Sequence, residues 1–543
     1  MAQLQGVDPR KRTRAGYLAM KKAFTFQNRL RQVSPAKTGL NRLCPLVVLL
    51  LAGIAGVSTA DLTPGHPTLL SPHSDPIAFD KGKVFVVNTP ADTLDVVDAS
   101  SSQVVARIPT GIDPVSVVVR PDGREIWVSN HLSDSVSVID NDLESATYLS
   151  VVATIQDIDL SRKSTRFDEP VGIAFADNEK AYVALSSTNR IAVVDVASRK
   201  VVKHLQIPAQ EPRAMEVREG RLYVIPFESN NQTQLSGGKA EDVDGKLVTF
   251  DAKKLAGAFD SAGFTVDVVK QPKIPDRDLF IYDTRTDKLV STIKTLGTSL
   301  FGLAVDPVGN VFIANTDARN HINGKAGTAK HGLKELDNRP YLNRVTKVSS
   351  GGKVDFFQLN PLPPLQPNRN EAVATPFAVE SSSDGKILFL TGAGSDVLLA
   401  LSAKTGKVLS KAKVGSVPRG VALEEDGSGS PVRAWVLNAV SNSVSKVTVG
   451  QNFSLRVEHT TALLDPTPPF YKEGRMAFNT ARASSNGTFS CASCHADGHT
   501  DHLLWVLETP HLVGADQIEP RLSQTLRGLR GTAPYHWDGV PGC

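Results

Sequence analysis

From residue 77 to residue 457 the chain alternates short apolar runs with turns rich in Asp, Gly and Asn, and an aromatic residue marks one run in each unit. The seven marked runs are Phe85-Val86-Val87-Asn88, Trp127-Val128-Ser129-Asn130, Tyr182-Val183-Ala184, Tyr223-Val224-Ile225, Phe312-Ile313-Ala314-Asn315, Phe389-Leu390-Thr391-Gly392 and Trp435-Val436-Leu437-Asn438. Most follow a Pro or Gly, an apolar strand and an Asp-Gly type turn, as in Pro114-Val115-Ser116-Val117-Val118-Val119 before Pro121-Asp122-Gly123. Most lead into a second alternating stretch that ends in a polar turn, as in Ile191-Ala192-Val193-Val194-Asp195. Alternation with a period of two marks a strand with one buried face, so each unit reads strand, turn, strand, loop, strand, turn, strand.

The aromatic residues lie 42, 55, 41 and 46 residues apart where units follow one another directly, the period of propeller blades. Two gaps of 89 and 77 residues, after Tyr223 and after Phe312, read as blades with insertions. Leu279-Phe280-Ile281-Tyr282-Asp283 belongs to the first such blade and Arg344-Val345-Thr346-Lys347-Val348 to the second, although an eighth blade in the first gap stays open. The inserted stretches, Asn230 to Pro275 and Thr316 to Pro340, are polar and are expected as exposed loops. A blade cannot bury its faces alone, so the blades should stack around a central channel and pair their ends to close the ring. The aromatic residues would then fill the gaps between blades. The fold class expected is mainly β, a propeller of about seven blades followed by a small α-helical, cytochrome c-like haem segment.

The ends of the chain differ from this middle. Cys44 to Ala60 carries no charge and is rich in Leu, Val, Ala and Gly, after a stretch with ten Lys and Arg against one acid. A charged region, an apolar region and the small residues Ser58-Thr59-Ala60 have the form of a secretory signal. The apolar run is only slightly short of a spanning helix, so an uncleaved anchor is the alternative. The expected location is the periplasm or another exported site, with or without membrane anchoring. Expected boundaries are 1–60 for the signal or anchor, 61–457 for the propeller and 458–543 for an incomplete haem segment. The whole chain has 60 basic and 56 acidic side chains; without residues 1–60 the balance is 50 to 55, or −5. Nucleic acid is therefore not an expected partner, because it would need clustered Lys and Arg.

Near the other end, Cys491-Ala492-Ser493-Cys494-His495 has the C-x-x-C-H spacing of covalent haem attachment. The two thiols would form thioethers with one haem c, and His495 would be the proximal iron ligand. A disulfide or a zinc half-site completed by His499, His502, His511 or His536 is the alternative. No Met follows His495, and Met476 is the sole Met near the motif. The sixth ligand is left among His536, the first candidate, His511, and an open position. His499 and His502 lie too close to His495 to reach the opposite haem face. Arg521, Arg527 and Arg530 could serve either a peroxide site or the haem propionates. There is no G-x-S-x-G, H-E-x-x-H or phosphate-binding Gly-rich loop.

The aromatic-Val-x-Asn runs resemble those of the YVTN-type β-propeller family over residues 77 to 457. Residues 470 to 539 are similar to a haem domain related to bacterial di-haem cytochrome c peroxidases, through Ser490 to Gly498, Thr525-Leu526-Arg527-Gly528-Leu529 and Thr532-Ala533-Pro534-Tyr535-His536-Trp537-Asp538-Gly539. The resemblance implies one haem c and periplasmic redox chemistry. Relatives of the peroxidase kind carry two C-x-x-C-H motifs, whereas this chain has one and stops at Cys543, so their turnover does not carry over. The function expected is electron transfer or peroxidase-like oxidoreductase chemistry with the propeller as docking scaffold. The partner would be a redox protein or a small electron donor or acceptor. The alternative is a non-enzymatic propeller that binds a partner and carries a vestigial haem segment.

Overall fold

A computed structural model describes residues 69–228, 248–249, 267–268, 277–320, 332–507 and 519–529. The N-terminal segment 1–60, His511, Arg530, His536 and Cys543 lie outside the described residues. Leu62 to Cys543 forms one compact unit. No helix among the described residues is long and apolar enough to cross a membrane.

The described strands form seven four-stranded antiparallel blades and three two-stranded hairpins; the blade strands follow in chain order, except that the hairpin Val248–Thr249 with Asp267–Val268 interrupts blade 4, and a Glu228–Ser299 bridge joins blades 4 and 5. Blade 1 begins with Ile77–Asp80 and ends with Val104–Pro109; blade 2 runs from Pro114–Val119 to Val151–Ile155 and blade 3 from Pro170–Phe175 to Lys200–Gln206. Blade 4 runs from Gln210–Arg218 to Lys288–Ile293, blade 5 from Ser299–Val305 to Val354–Gln358 and blade 6 from Pro376–Ser381 to Val408–Lys413. Blade 7 extends from Pro418–Glu425 to Leu455–Ala462. The long first gap holds no extra four-stranded blade among its described residues. Leu279–Asp283 pairs with Arg221–Glu228 as the third strand of blade 4, and Tyr341–Val348 fills the same place in blade 5.

Pro opens the first strand of blades 2, 3, 6 and 7, and a register shift follows within that strand. This innermost strand has only one ladder neighbour, which tolerates a residue without an N–H. Each marked aromatic sits in the second strand and packs onto the following blade. Trp127 joins Phe167, Ile173 and Phe175 of the next unit, with Phe175 4.9 Å away in edge contact. Tyr182 packs with Met215 and Phe280, Phe312 with Leu388 and Leu390, and Phe389 with Val421 and Val436.

The seam between blades 7 and 1 is closed without strand exchange among the described residues, in contrast to the expected pairing of the chain's ends. Trp435 enters the cluster of Ile77, Val84 and Val97. Four hydrogen bonds cross the same seam: Asn442 Nδ2 to Asn88 Oδ1 (3.1 Å), Asn88 Nδ2 to Leu464 O (2.9 Å), Lys446 Nζ to Ala99 O (3.1 Å) and Thr461 Oγ1 to Ser102 O (2.7 Å). Gly420 lies where the two blades touch, and a Cβ there would come within 2.6 Å of the Pro76 ring. Trp435→Ala is expected to cost about 3–5 kcal/mol, as other buried Trp truncations do. Val202→Ala on an exposed outer strand should change stability by less than about 0.5 kcal/mol. Urea unfolding of the two variants beside the parent chain checks the difference.

Candidate functional site

Beyond Ala462 the chain crosses the end of the ring at which the innermost strands begin. Helix α1, Pro469–Asn479, brings Met476 against Ala439, Val440 and Ala393, where Ser416 Oγ lies 3.7 Å from its sulfur. Ala481 N then bonds Gly394 O at 2.8 Å, and Asn343 Nδ2 reaches Thr488 O at 2.9 Å. The segment shares its core with the propeller, since Ala496 packs with Leu70, Phe227, Phe301, Phe377 and Val417.

The C-x-x-C-H sequence forms a single helical turn, Cys491–Cys494, called α2. Ser490 N bonds Ser493 Oγ at 3.0 Å and His495 N bonds Cys491 O at 3.0 Å, which satisfies backbone groups at the two ends of the turn. Both thiols are free, that of Cys491 exposed and that of Cys494 half-buried. His495 Nδ1 lies 3.3 Å from His499 O. A proton donated there leaves Nε2 as the free, electron-pair-bearing nitrogen. Cys494 abuts a cluster of Ala318, Leu336, Tyr341, Leu503 and Trp505 with Phe489. Tyr341 donates to Asp501, which also accepts from Trp505 Nε1 at 3.0 Å. Free thiols on one turn, an oriented imidazole and an apolar wall beside the inner thiol fit a thioether-bound haem.

The loop then reverses. Asp497 and Gly498 adopt φ of +52° and +73°, and a Cβ on Gly498 would collide with Leu69 Cδ1 at 1.8 Å. The turn sends Asp497 down into the propeller mouth. Its Oδ2 accepts from Arg213 Nη1 at 2.8 Å and its Oδ1 from Arg419 Nη1 at 2.7 Å. The three residues are only 3, 4 and 4% exposed for Arg213, Arg419 and Asp497. Arg213 lies 3.8 Å over Phe227 and Arg419 4.6 Å over Phe377, so aromatic faces replace part of the lost hydration. Burial raises the Asp497 pKa, but Arg419 and Arg213 outweigh it and hold the carboxyl at about 2. Arg527 adds contacts of 3.3 and 3.2 Å to Asp497 O.

His499 and His502 lie on the same side of the loop, with ring centroids 6.0 Å apart. His502 Nε2 is 3.2 Å from Glu228 Oε1 of blade 4, and this bond raises the His502 pKa. The described ends of the second insertion are not exposed as expected. Thr316 and Ala318 continue a strand, and Arg319, Asn320, Leu336 and Arg339 are buried. Arg319 donates to Leu336 O and Arg339 O, and Arg339 donates to Pro361 O and Leu365 O, so the guanidinium forks satisfy loop carbonyls that would otherwise need water.

Below the mouth the channel widens into a cavity of about 470 Å³, and its lining includes Asp75, Glu216, Glu380 and Glu425. Glu216 and Glu380 stand opposite the aromatics Tyr223 and Phe389. The same register in the other blades holds Ala78, Val118, Ala174, Ala304 and Ala422. Burial raises Asp75 to about 6 and Glu216 to about 8, the latter helped by the Asp75 charge. Burial, then Glu216 and Asp75, push Glu380 well above the carboxylate range. Reasoning from the motif overlooked Arg213, Arg419, Asp497, Glu216 and Glu380. The repeat held a signal for four of them, because charge replaces an apolar residue at two registers: Glu216 and Glu380 at one, and Arg213 and Arg419 three residues earlier.

No protein-family model matches the chain, and no curated protein does. Solved structures do. Hydrazine synthase of Kuenenia stuttgartiensis is 18% identical with a TM-score of 0.50, over 72% of this chain and 99% of that one. Streptogramin B lyase is 12% identical with a TM-score of 0.41, over 68% of this chain and 93% of that one. The first likeness supports the class the blades define, a β-propeller.

Because the folded channel carboxyls keep protons that the unfolded chain gives up near pH 4, stability should fall as pH rises from about 4 to about 8. Glu216→Gln and Glu380→Gln should flatten that decline and unfold at higher urea than the parent at pH 8.5. Parallel slopes for parent and variants between pH 5 and 8.5 would mean that other groups set the dependence.

Proposed function

We propose that this chain is an exported redox protein carrying one haem c, a YVTN-type propeller fused to a cytochrome c-like segment. Cys491 and Cys494 would hold the porphyrin by thioethers and His495 would bind the iron. His536, the candidate for the opposite face, belongs to the part of the chain outside the described residues. The observation that carries the reading is the free two-thiol turn next to an imidazole whose Nδ1 is engaged by His499 O.

When bound, the haem supplies one-electron chemistry at its iron. The chain's own work is positional: α2 sets the spacing of the thiols, His499 O fixes the imidazole, and the wall of Tyr341, Leu503 and Trp505 excludes water from the Cys494 side. Electron transfer to a redox partner is the activity this arrangement supports directly. Peroxidase-like chemistry would further need an open iron position.

Haem staining after denaturing electrophoresis, on protein made with a working haem-attachment system, should give a band that Cys491→Ala with Cys494→Ala abolishes. A colourless parent band would refute the assignment and leave a propeller that binds a partner without redox chemistry. A peroxide titration of the stained protein then separates the two redox activities. A low-spin spectrum unchanged by peroxide is the expected result for electron transfer.

A further inference from the structure

Counting three residues back from the partner of the aromatic in blades 2 to 7 gives one position, at the register shift of the innermost strand by the mouth of the channel: Val115, Val171, Arg213, Phe301, Phe377 and Arg419. Four of the six are apolar, as a narrow passage between stacked blades requires. Two are arginines, and both are almost fully buried. An arginine taken out of water is costly unless a carboxylate meets its fork. Arg213 has Glu211 on its own strand, whereas Arg419 has Ser71 O at 3.0 Å and the Asp497 carboxylate. Asp497 comes from the tail and serves both arginines at once. The mouth is thus built to receive one carboxylate.

The geometry points to Arg213 and Arg419 as positioning residues for the C-x-x-C-H loop: blades 4 and 7 grip the side chain two residues past the proposed iron ligand, and so fix the loop and the charge beside it. This rests on the haem reading given above. The propeller is then part of the cofactor's environment, because two of the cations around Asp497, Arg213 and Arg419, come from blades, while Asp497 and Arg527 come from the tail. Each guanidinium also lies against an aromatic ring, Arg213 against Phe227 and Arg419 against Phe377, which favours Arg over Lys at these positions.

Two measurements on the full chain test it. In a haem-free Cys491→Ala, Cys494→Ala background, hydrogen exchange should be on the order of tenfold faster at the His495, Gly498 and His499 amides in Arg213→Gln with Arg419→Gln. Exchange in the strand Lys180–Leu185 should stay as in the parent, which shows that the ring is folded. If the double variant fails to fold, Arg419→Lys is read instead. It keeps the charge but not the fork, and a smaller acceleration is expected. Unchanged protection of the loop in the folded variant overturns the proposal.

In haem-loaded protein, each Arg→Gln change should lower the midpoint potential and Asp497→Asn should raise it. A nearby cation favours the ferrous state, and an anion opposes it. A loop that was merely loosened would expose the haem to water in all three variants and move the potential the same way. Shifts of one sign therefore refute the electrostatic part. Should the haem stain fail, the exchange measurement still decides whether the arginines hold the loop, so the two readings fall separately.

Discussion

Each blade has two apolar faces and no means of covering both. That constraint governs the whole molecule: the second-strand aromatic of one unit has to lie against the next, and the last against the first. Trp435 performs at the seam what Trp127, Tyr182, Phe312 and Phe389 perform elsewhere. Among the described residues no strand is exchanged between the ends, and closure there depends on packing and on a few hydrogen bonds from Asn88, Asn442, Lys446 and Thr461. Gly420 permits the close approach that this requires.

Stacking also creates a channel, and the channel's two levels have opposite characters. At the mouth, Arg213 and Arg419 face a carboxylate from the tail. Farther along, Asp75, Glu216 and Glu380 line a cavity in which burial favours their neutral forms. The tail covers the mouth through Asp497 and packs Ala496 into the propeller's own apolar cluster. Ring and tail consequently have a common core where the C-x-x-C-H loop sits. A ring of short, repeated strands gains from this a rigid platform for a loop that has little secondary structure of its own.

How much of this was legible can be judged from particular residues. The blades were, since the spacing of Phe85, Trp127, Tyr182, Tyr223, Phe312, Phe389 and Trp435 reports a repeated local need to fill the same gap. The place of Leu279–Asp283 in a blade interrupted by an insertion was also legible from its alternation. The burial of Arg319 and Arg339 was not, because a polar segment looks exposed until the carbonyls it must serve are known. Asp497 reads in the sequence as half of an Asp-Gly turn, which it is, and nothing local indicates two arginines from 284 and 78 positions away.

The sequence by itself determined the strand pattern, the repeated unit and the C-x-x-C-H spacing, because each depends on residues close together in the chain. Tertiary structure alone decided how the ring closes, what covers its mouth and which carboxylates share the channel. Those outcomes arise where blades far apart in sequence come face to face, and the desolvation of charges there depends on the neighbours that the fold supplies.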